Sequence, residues 1–287
     1  MDWVNALVQG TLLGGLYALF AAGLSLIFGI MRLVNIAHGD LIVLASYLGL
    51  VVVTATGMHP LLALAVAVPA MAVLGYVLQR GILNQTLGDD LLPPLLVTFG
   101  LSVIIQNALL EGFTADPQKM NAGAIETASV SVGSLQLGVL PILTFATAVG
   151  VIAALQWMFY NTALGRAFRA VSDNQEIAQL MGLNRRHIFG LAMGLALGVT
   201  AIAGIFLGIR TSFDPSAGAS RLIFGFEAVI IGGLGNLWGT LAGGVILGVS
   251  QTLGAKIDPG YQILAGHIAF LVVLAVRPQG LFPRVSG

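Results

Sequence analysis

Ionisable side chains are scarce in this chain, 8% of 287 residues, and the largest group of them lies in one place, Gly165 to His187, reading GRAFRAVSDNQEIAQLMGLNRRH. Such an island in an otherwise uncharged sequence has the character of a docking surface. Glu227, in LIFGFEAVIIGG, is the only acid embedded in an otherwise apolar run. A carboxylate there is costly, so it either pairs with a cation, for which Arg221 and Arg210 are candidates, or lines a path through the protein. Gln106 and Asn107 either add polar groups to that path or serve as glue between helices. Asn35, His38 and Asp40 offer too few ligands for a metal. They either cap helix ends and satisfy backbone groups freed by a break, or form a gate hinge.

Other chemistries are excluded by composition. The absence of cysteine removes a disulfide framework and thiol-based metal or redox chemistry. A phosphate-binding loop of the G-x-x-x-x-G-K-[ST] kind needs a Gly-Lys pair, and the only lysines, Lys119 and Lys256, follow Gln118 and Ala255. Equal numbers of basic and acidic residues, 12 and 12, give no sign of a nucleic-acid partner.

The elements that must position these groups are membrane helices. The chain is 57% hydrophobic, and its charge-free stretches run Trp3 to Met31, Leu41 to Gln79, Leu91 to Leu110, Thr127 to Gly165, Ile188 to Ile209, Ala228 to Ala255 and Pro259 to Val276. Each is near or above the ~20 residues a helix needs to cross a bilayer. None alternates with the period of two of barrel strands, so an all-α helical bundle is the way to satisfy every backbone group in lipid. Met1-Asp2 lacks the basic start of a cleaved signal peptide, so the first span is expected to be retained.

If the island is cytoplasmic and spans alternate, Arg32, Arg80, Arg166, Arg169, Arg185, Arg186, Arg277 and Arg284 lie inside. Only Lys119, Arg210, Arg221 and Lys256 lie outside, in keeping with the positive-inside tendency. The loop Glu111 to Ser134 is then external. Both ends of the stretch from Arg221 to Lys256 are also external, so it must cross twice or dip in and return, with Gly232-Gly233-Leu234-Gly235-Asn236 as the turn. Gly29 to Asp40 is the other irregular place. The expectation is about eight spans with two broken or re-entrant regions, forming one membrane domain over 1–287 with no soluble domain.

Glycines four apart recur at Gly10/Gly14, Gly190/Gly194/Gly198, Gly204/Gly208, Gly235/Gly239/Gly243 and Gly244/Gly248, a spacing that lets helix backbones approach closely. Within the island, Asp173 as cap, Glu176 at the third helical position and Gly182 after the last turn predict a helix over Asn174 to Met181, with Ala178 and Met181 on one side. Such a short element needs packing to persist, which suits something held by another protein. An ordinary amphipathic connector is the simpler reading.

The island resembles the cytoplasmic coupling loop of permease subunits of ATP-binding-cassette importers, specifically the LivH-like branched-chain amino acid family. GLYALFAAGLSLIFGIMRLVNIAHGDLIVLASYLG is similar to that family's N-terminal signature, and GGLGNLWGTLAGGVILGV followed by RPQGLFPR to its C-terminal one. The family often has glutamate where Asp40 stands and a glycine near Pro283. The resemblance implies that Ala178 and Gly182 lie at the heart of a coupling helix seated in a cleft of an ATPase, flanked by Arg166 and Arg169, with Asp173, Glu176 and Met181 in the same loop. It also implies a second, LivM-like permease, two cytoplasmic ATPase subunits carrying ATP and Mg, an extracytoplasmic substrate-binding protein, and residence in a prokaryotic plasma membrane. Asn35, His38, Asp40, Gln106, Asn107, Glu227 and Asn236 are then the candidates for pathway or gate. The expected substrate is leucine, isoleucine or valine, with urea, short amides or aromatic acids as alternatives within the superfamily. A passive channel for a small neutral solute is the competing class, since Asn35-Ile36-Ala37 and Asn161-Thr162-Ala163 faintly echo paired half-helix motifs. A proton-coupled transporter would have only Glu227 and His267 for its relay, and no intramembrane protease motif stands out.

Overall fold

The computed structural model describes residues 2–88, 92–133 and 135–283. Met1, Leu91, Ser134 and Arg284, which enter the reading above, lie outside them. In chain order the elements are α1 (Asp2–Met31), α2 (His38–Thr56), α3 (Leu64–Gly81), α4 (Leu92–Phe113), α5 (Ala124–Thr127), a hairpin of β1 (Ser129–Val132) and β2 (Leu135–Gly138), α6 (Val139–Asn161), α7 (Ala163–Asp173), α8 (Gln175–Leu180), α9 (Arg185–Arg210), α10 (Gly218–Gly232), α11 (Leu237–Ile257) and α12 (Gln262–Val276). Among the described residues seven helices are long and apolar enough to cross a membrane, and one further pair, Pro215–Gly232 with Leu237–Ile257, is bent by 117°. This is the polytopic helical bundle of about eight spans expected.

The bent pair reverses direction, as parity required. The 15 residues of α10 rise only about 22 Å, short of the ~30 Å hydrocarbon core. Its reversal falls in the predicted glycine turn: Gly233 and Gly235 take φ of 106° and 78°, which residues with a Cβ rarely adopt. Asn236 then caps α11, its Oδ1 accepting from Gly239 N at 3.0 Å.

The second irregular region, between α1 and α2, is buried backbone. After Met31 the chain turns back along α1, and α2 begins beside Phe20, whose carbonyl accepts from His38 Nε2 at 2.8 Å. Phe20 lies eleven residues, about 16 Å, before the end of α1, so α2 starts inside the bundle. Leu33, Asn35 and Ala37 on the connecting segment are buried. Non-helical backbone is tolerated at such depth because protein encloses it.

The spaced glycines lie at backbone-to-backbone contacts. Gly10 and Gly14 of α1 face Gly248 and Gly244 of α11; a Cβ on Gly14 would sit 2.5 Å from Val245 Cα and 2.6 Å from the Gly244 carbonyl. Gly194 lies equally close to Ala72 O of α3, and Gly204 to Ile42 O of α2. Lipid supplies no hydrophobic drive between helices, so this close packing is what holds α1 and α9 at the centre.

One stretch differs from expectation. Thr127 to Gly165 is not a single apolar run: Ser129-Val130-Ser131-Val132 alternates and pairs antiparallel with β2, Val130 opposite Leu137, before α6 begins. In the adjoining loop Lys119 Nζ meets Glu126 Oε2 at 2.5 Å and Ala122 N donates to Glu126 Oε1 at 2.6 Å, which together hold the Glu126 carboxyl below its ordinary value.

The island end of the bundle gathers several parts of the chain. Ser172 Oγ donates to the Gly29 carbonyl at 2.7 Å, Gly29 packs on Gly235, and Asn236 Nδ2 donates to Phe282 O at 2.9 Å. The ends of α1 and α10, the island and the chain after α12 therefore meet, bringing Arg32, Arg166, Arg169 and Arg277 to one end.

Gly14→Val is expected to lower the thermal-unfolding midpoint of the detergent-solubilised protein, at a cost of about 1–3 kcal/mol from overpacking. Gly150→Ala, where an added Cβ meets nothing within 4 Å, should leave the midpoint in place or raise it.

Candidate functional site

The island is more helical than its composition suggests. Thr162 caps α7, its Oγ1 accepting from Gly165 N at 3.0 Å, which gives Asn161-Thr162-Ala163 a local structural role. Phe168 and Val171 are fully buried, with the Phe168 ring 5.7 Å from that of Phe159 on α6. Arg166 is exposed, and the Arg169 guanidinium stacks over the Tyr160 ring at 4.8 Å.

The short helix is present with a corrected start and end: α8 is Gln175–Leu180, not Asn174 to Met181. Helix α7 continues through Asp173, so the first extended residue, and the cap, is Asn174. Its Oδ1 accepts from both Glu176 N and Ile177 N at 3.0 Å. Glu176 is thus at the second helical position and no capping box forms. Gly182 does take the left-handed conformation, φ 87°, and Leu183 N closes the turn on Ala178 O at 3.0 Å.

Ala178 and Met181 do not share a side. Ala178 is 3% exposed and packs inward, whereas Met181 is 79%, Leu180 86% and Ile177 57% exposed. A helix of six residues turns inward only once, so its remaining apolar side chains must face out. Arg185 Nη1 braces the element by donating to Gln175 Oε1 at 2.9 Å. Ala178→Arg would therefore disturb packing within this chain, and the outward residues are the cleaner probes of any contact made there.

At the inner start of α2, Asn35 Oδ1 accepts from Ala37 N at 3.0 Å and Thr98 Oγ1 of α4 accepts from Ile36 N at 3.3 Å. Asp40 lies in the first helical turn, where the helix dipole favours negative charge, and accepts from Ser102 Oγ of α4 at 2.5 Å. Gly39 packs on Gly218 at the start of α10, with the Asp40 carboxylate against the same glycine. Two helix starts and α4 thus converge on one buried acid. Neither Ser102 nor Thr98 carries a sequence signal, being ordinary hydroxyls on an apolar helix.

Glu227 pairs with neither arginine. Its Oε1 meets His267 Nδ1 of α12, because α10 turns this residue away from the end of α9 and toward α12. Arg210 and Arg221 instead line a cavity of about 450 Å³ with Tyr17 and Gln251; Tyr17 Oη donates to Gln251 Oε1 at 2.5 Å. Asn107 is exposed and bonds to Val103 O of its own helix at 2.8 Å, and Gln106 on the same helix is half-buried. Among the packed helix pairs, α4 meets α2 and the turn before α10, so these two residues are not gathered with Glu227. Asn236 serves as cap and as anchor for the chain after α12.

A bundle of membrane-crossing helices with one helix starting inside, one sharply bent pair and a braced helical projection at its basic end defines a polytopic helical membrane protein. A solved structure described as PsaBC from Streptococcus pneumoniae in complex with Fab shares the fold, with a TM-score of 0.51 and 13% identity over 97% of this chain and 96% of that one. Residues 6–276 match the family described as branched-chain amino acid transport system / permease component, and the chain belongs to that family. It is 28% identical to the high-affinity branched-chain amino acid transport system permease protein BraD of Pseudomonas aeruginosa, over 98% of this chain and 96% of the relative. It is equally identical, with the same coverage, to LivH of Escherichia coli. A fructose import permease protein, FrcC of Rhizobium meliloti, is 30% identical over 76% of this chain and 64% of its own length. The chain is a transport subunit, and the passive-channel reading gives way to the permease one.

Ser102→Ala removes the hydroxyl that satisfies a buried carboxylate and should destabilise the protein by about 1–3 kcal/mol, measured as a lower unfolding midpoint in detergent.

Proposed function

We propose that this chain is one permease subunit of an ATP-binding-cassette importer for leucine, isoleucine or valine in a prokaryotic plasma membrane. A second, LivM-like permease completes the path, two cytoplasmic ATPase subunits bind ATP and Mg, and an extracytoplasmic binding protein delivers substrate. Relatives named for branched-chain amino acid transport over nearly the full chain support the substrate class.

The observation that carries the coupling role is α8. It is a braced, capped helix whose exposed edge is apolar, Ile177, Leu180 and Met181, projecting from the basic end of a membrane bundle. Leaving three large apolar side chains in water costs about 1.5–3 kcal/mol each relative to burial, and a partner cleft recovers that free energy. Movement of an ATPase cleft would push on α8, which is tied through Arg185 to α9. Helix α7 transmits the same push to α1 through Ser172. Because α1 and α9 are the central helices, a rigid shift of this pair alternates the side to which the path opens.

Leu180→Asp should leave the unfolding midpoint and expression unchanged, while ATP-driven leucine uptake by the reconstituted importer falls at least tenfold, the size expected for losing an apolar anchor at an interface. Uptake equal to wild type at equal ATPase recovery would remove α8 from the coupling route.

A further inference from the structure

Arg210 and Arg221 are the feature that neither the coupling role nor the packing of the bundle uses. Arg210 ends α9 and Arg221 lies in the first turn of α10, and both line the cavity that Tyr17 and Gln251 share. The cavity is bounded by the start of α1, the ends of α9 and α11 and the start of α12, so it lies at the end of the bundle away from the island. Among the described residues no acidic side chain lines it.

Several donors around this cavity have no partner. Among the described residues no hydrogen-bond acceptor reaches Arg210 Nη1, Arg221 Nε or Gln251 Nε2, and neither arginine stands in an ion pair. Of the two acids closest in sequence, Asp214 acts on Arg221 through space without an ion pair while its Oδ1 accepts from Ser216 N at 2.9 Å, and Glu227 is held through Oε1 by His267. Guanidinium donors enclosed without an acceptor, in a cavity whose lining holds no carboxylate, are costly. An anion supplied from outside the chain relieves that cost, and a carboxylate suits the planar donor fork of arginine. The rest of the lining includes the apolar Leu13, Leu16, Phe20 and Phe224. At about 450 Å³ the space is in the range of small-molecule sites.

We infer that this cavity is a subsite for the transported solute, in which Arg210 and Arg221 hold a carboxylate and the apolar wall takes an aliphatic side chain. The inference rests on the importer reading above and sharpens it. It assigns the chain a carboxylate-bearing solute and separates it from relatives named for sugars, such as the fructose permease, since a sugar brings no negative charge to the two arginines.

The test uses the complete importer, purified with its partner subunits but without the binding protein, and follows thermal unfolding with added ligands. L-leucine should raise the midpoint in wild type. L-leucinamide, which keeps the side chain and amine but lacks the carboxylate, and fructose should not. Arg210→Gln and Arg221→Gln should weaken the apparent affinity for leucine by about 10- to 100-fold, the size of a lost charge-assisted hydrogen bond. Arg210→Lys should restore part of it. If a glutamine variant does not fold, the leucine and leucinamide comparison on wild type decides the matter. Equal stabilisation by leucine and leucinamide, none by either, or unchanged leucine affinity in both folded variants would overturn the subsite. So would stabilisation by phosphatidylglycerol alone, which would give the cavity to a lipid phosphate. ATP-driven leucine uptake by the wild-type importer in liposomes keeps the two readings apart: uptake that persists while the subsite fails leaves the importer standing, and uptake that is absent removes both.

Discussion

Every part of this molecule is shaped by one constraint: a backbone amide or carbonyl in lipid has no water to bond, so it must be satisfied within the protein. Long helices meet that demand alone. The segment between α1 and α2 and the turn between α10 and α11 do not, and they persist because α1, α4, α9 and α11 surround them and supply partners. Asn35 and Thr98 satisfy donors of the first, while Asn236 and the chain around Phe282 satisfy the second. Buried polar side chains, Asn35 and Asp40 among them, gather where the first of these breaks occurs.

The same constraint explains the glycines. Helices in lipid gain nothing from hiding apolar surface from one another, so association depends on close contact. The α1–α11 and α3–α9 faces reach that contact by removing side chains altogether. Such faces also allow rigid helices to shift without unlocking interdigitated side chains, which fits a central pair driven from α7 and α8.

Much of this was legible in the sequence, because hydropathy and glycine spacing report directly on lipid exposure and backbone approach. The membrane class, the span count, the re-entrant turn at Gly233 to Asn236 and the left-handed Gly182 all rest on local signals of that kind. The structure differs from the sequence reading where two local signals compete or where a partner comes from far along the chain. Asp173 and Asn174 are both good caps, and only the persistence of α7 decides between them. Glu227 was matched with arginines nearby in sequence, whereas its partner His267 lies 40 residues on, across a helix interface. The pairing of Asp40 with Ser102 spans 62 residues and leaves no periodic trace. The inward face of α8 depends on how one turn of helix meets α9, which no composition reveals.

In the importer proposed for this chain, a motor protein sits against α8. Because the chain has no native cysteine, Leu180→Cys provides a unique thiol there, and cross-linking from it in membranes containing the intact importer tests the placement directly. The account predicts a cross-link to a polypeptide carrying a phosphate-binding loop, altered in yield by ATP. A thiol at that position that reacts freely with water-soluble reagents and cross-links to no ATPase, in membranes where the chain still carries leucine, would contradict it.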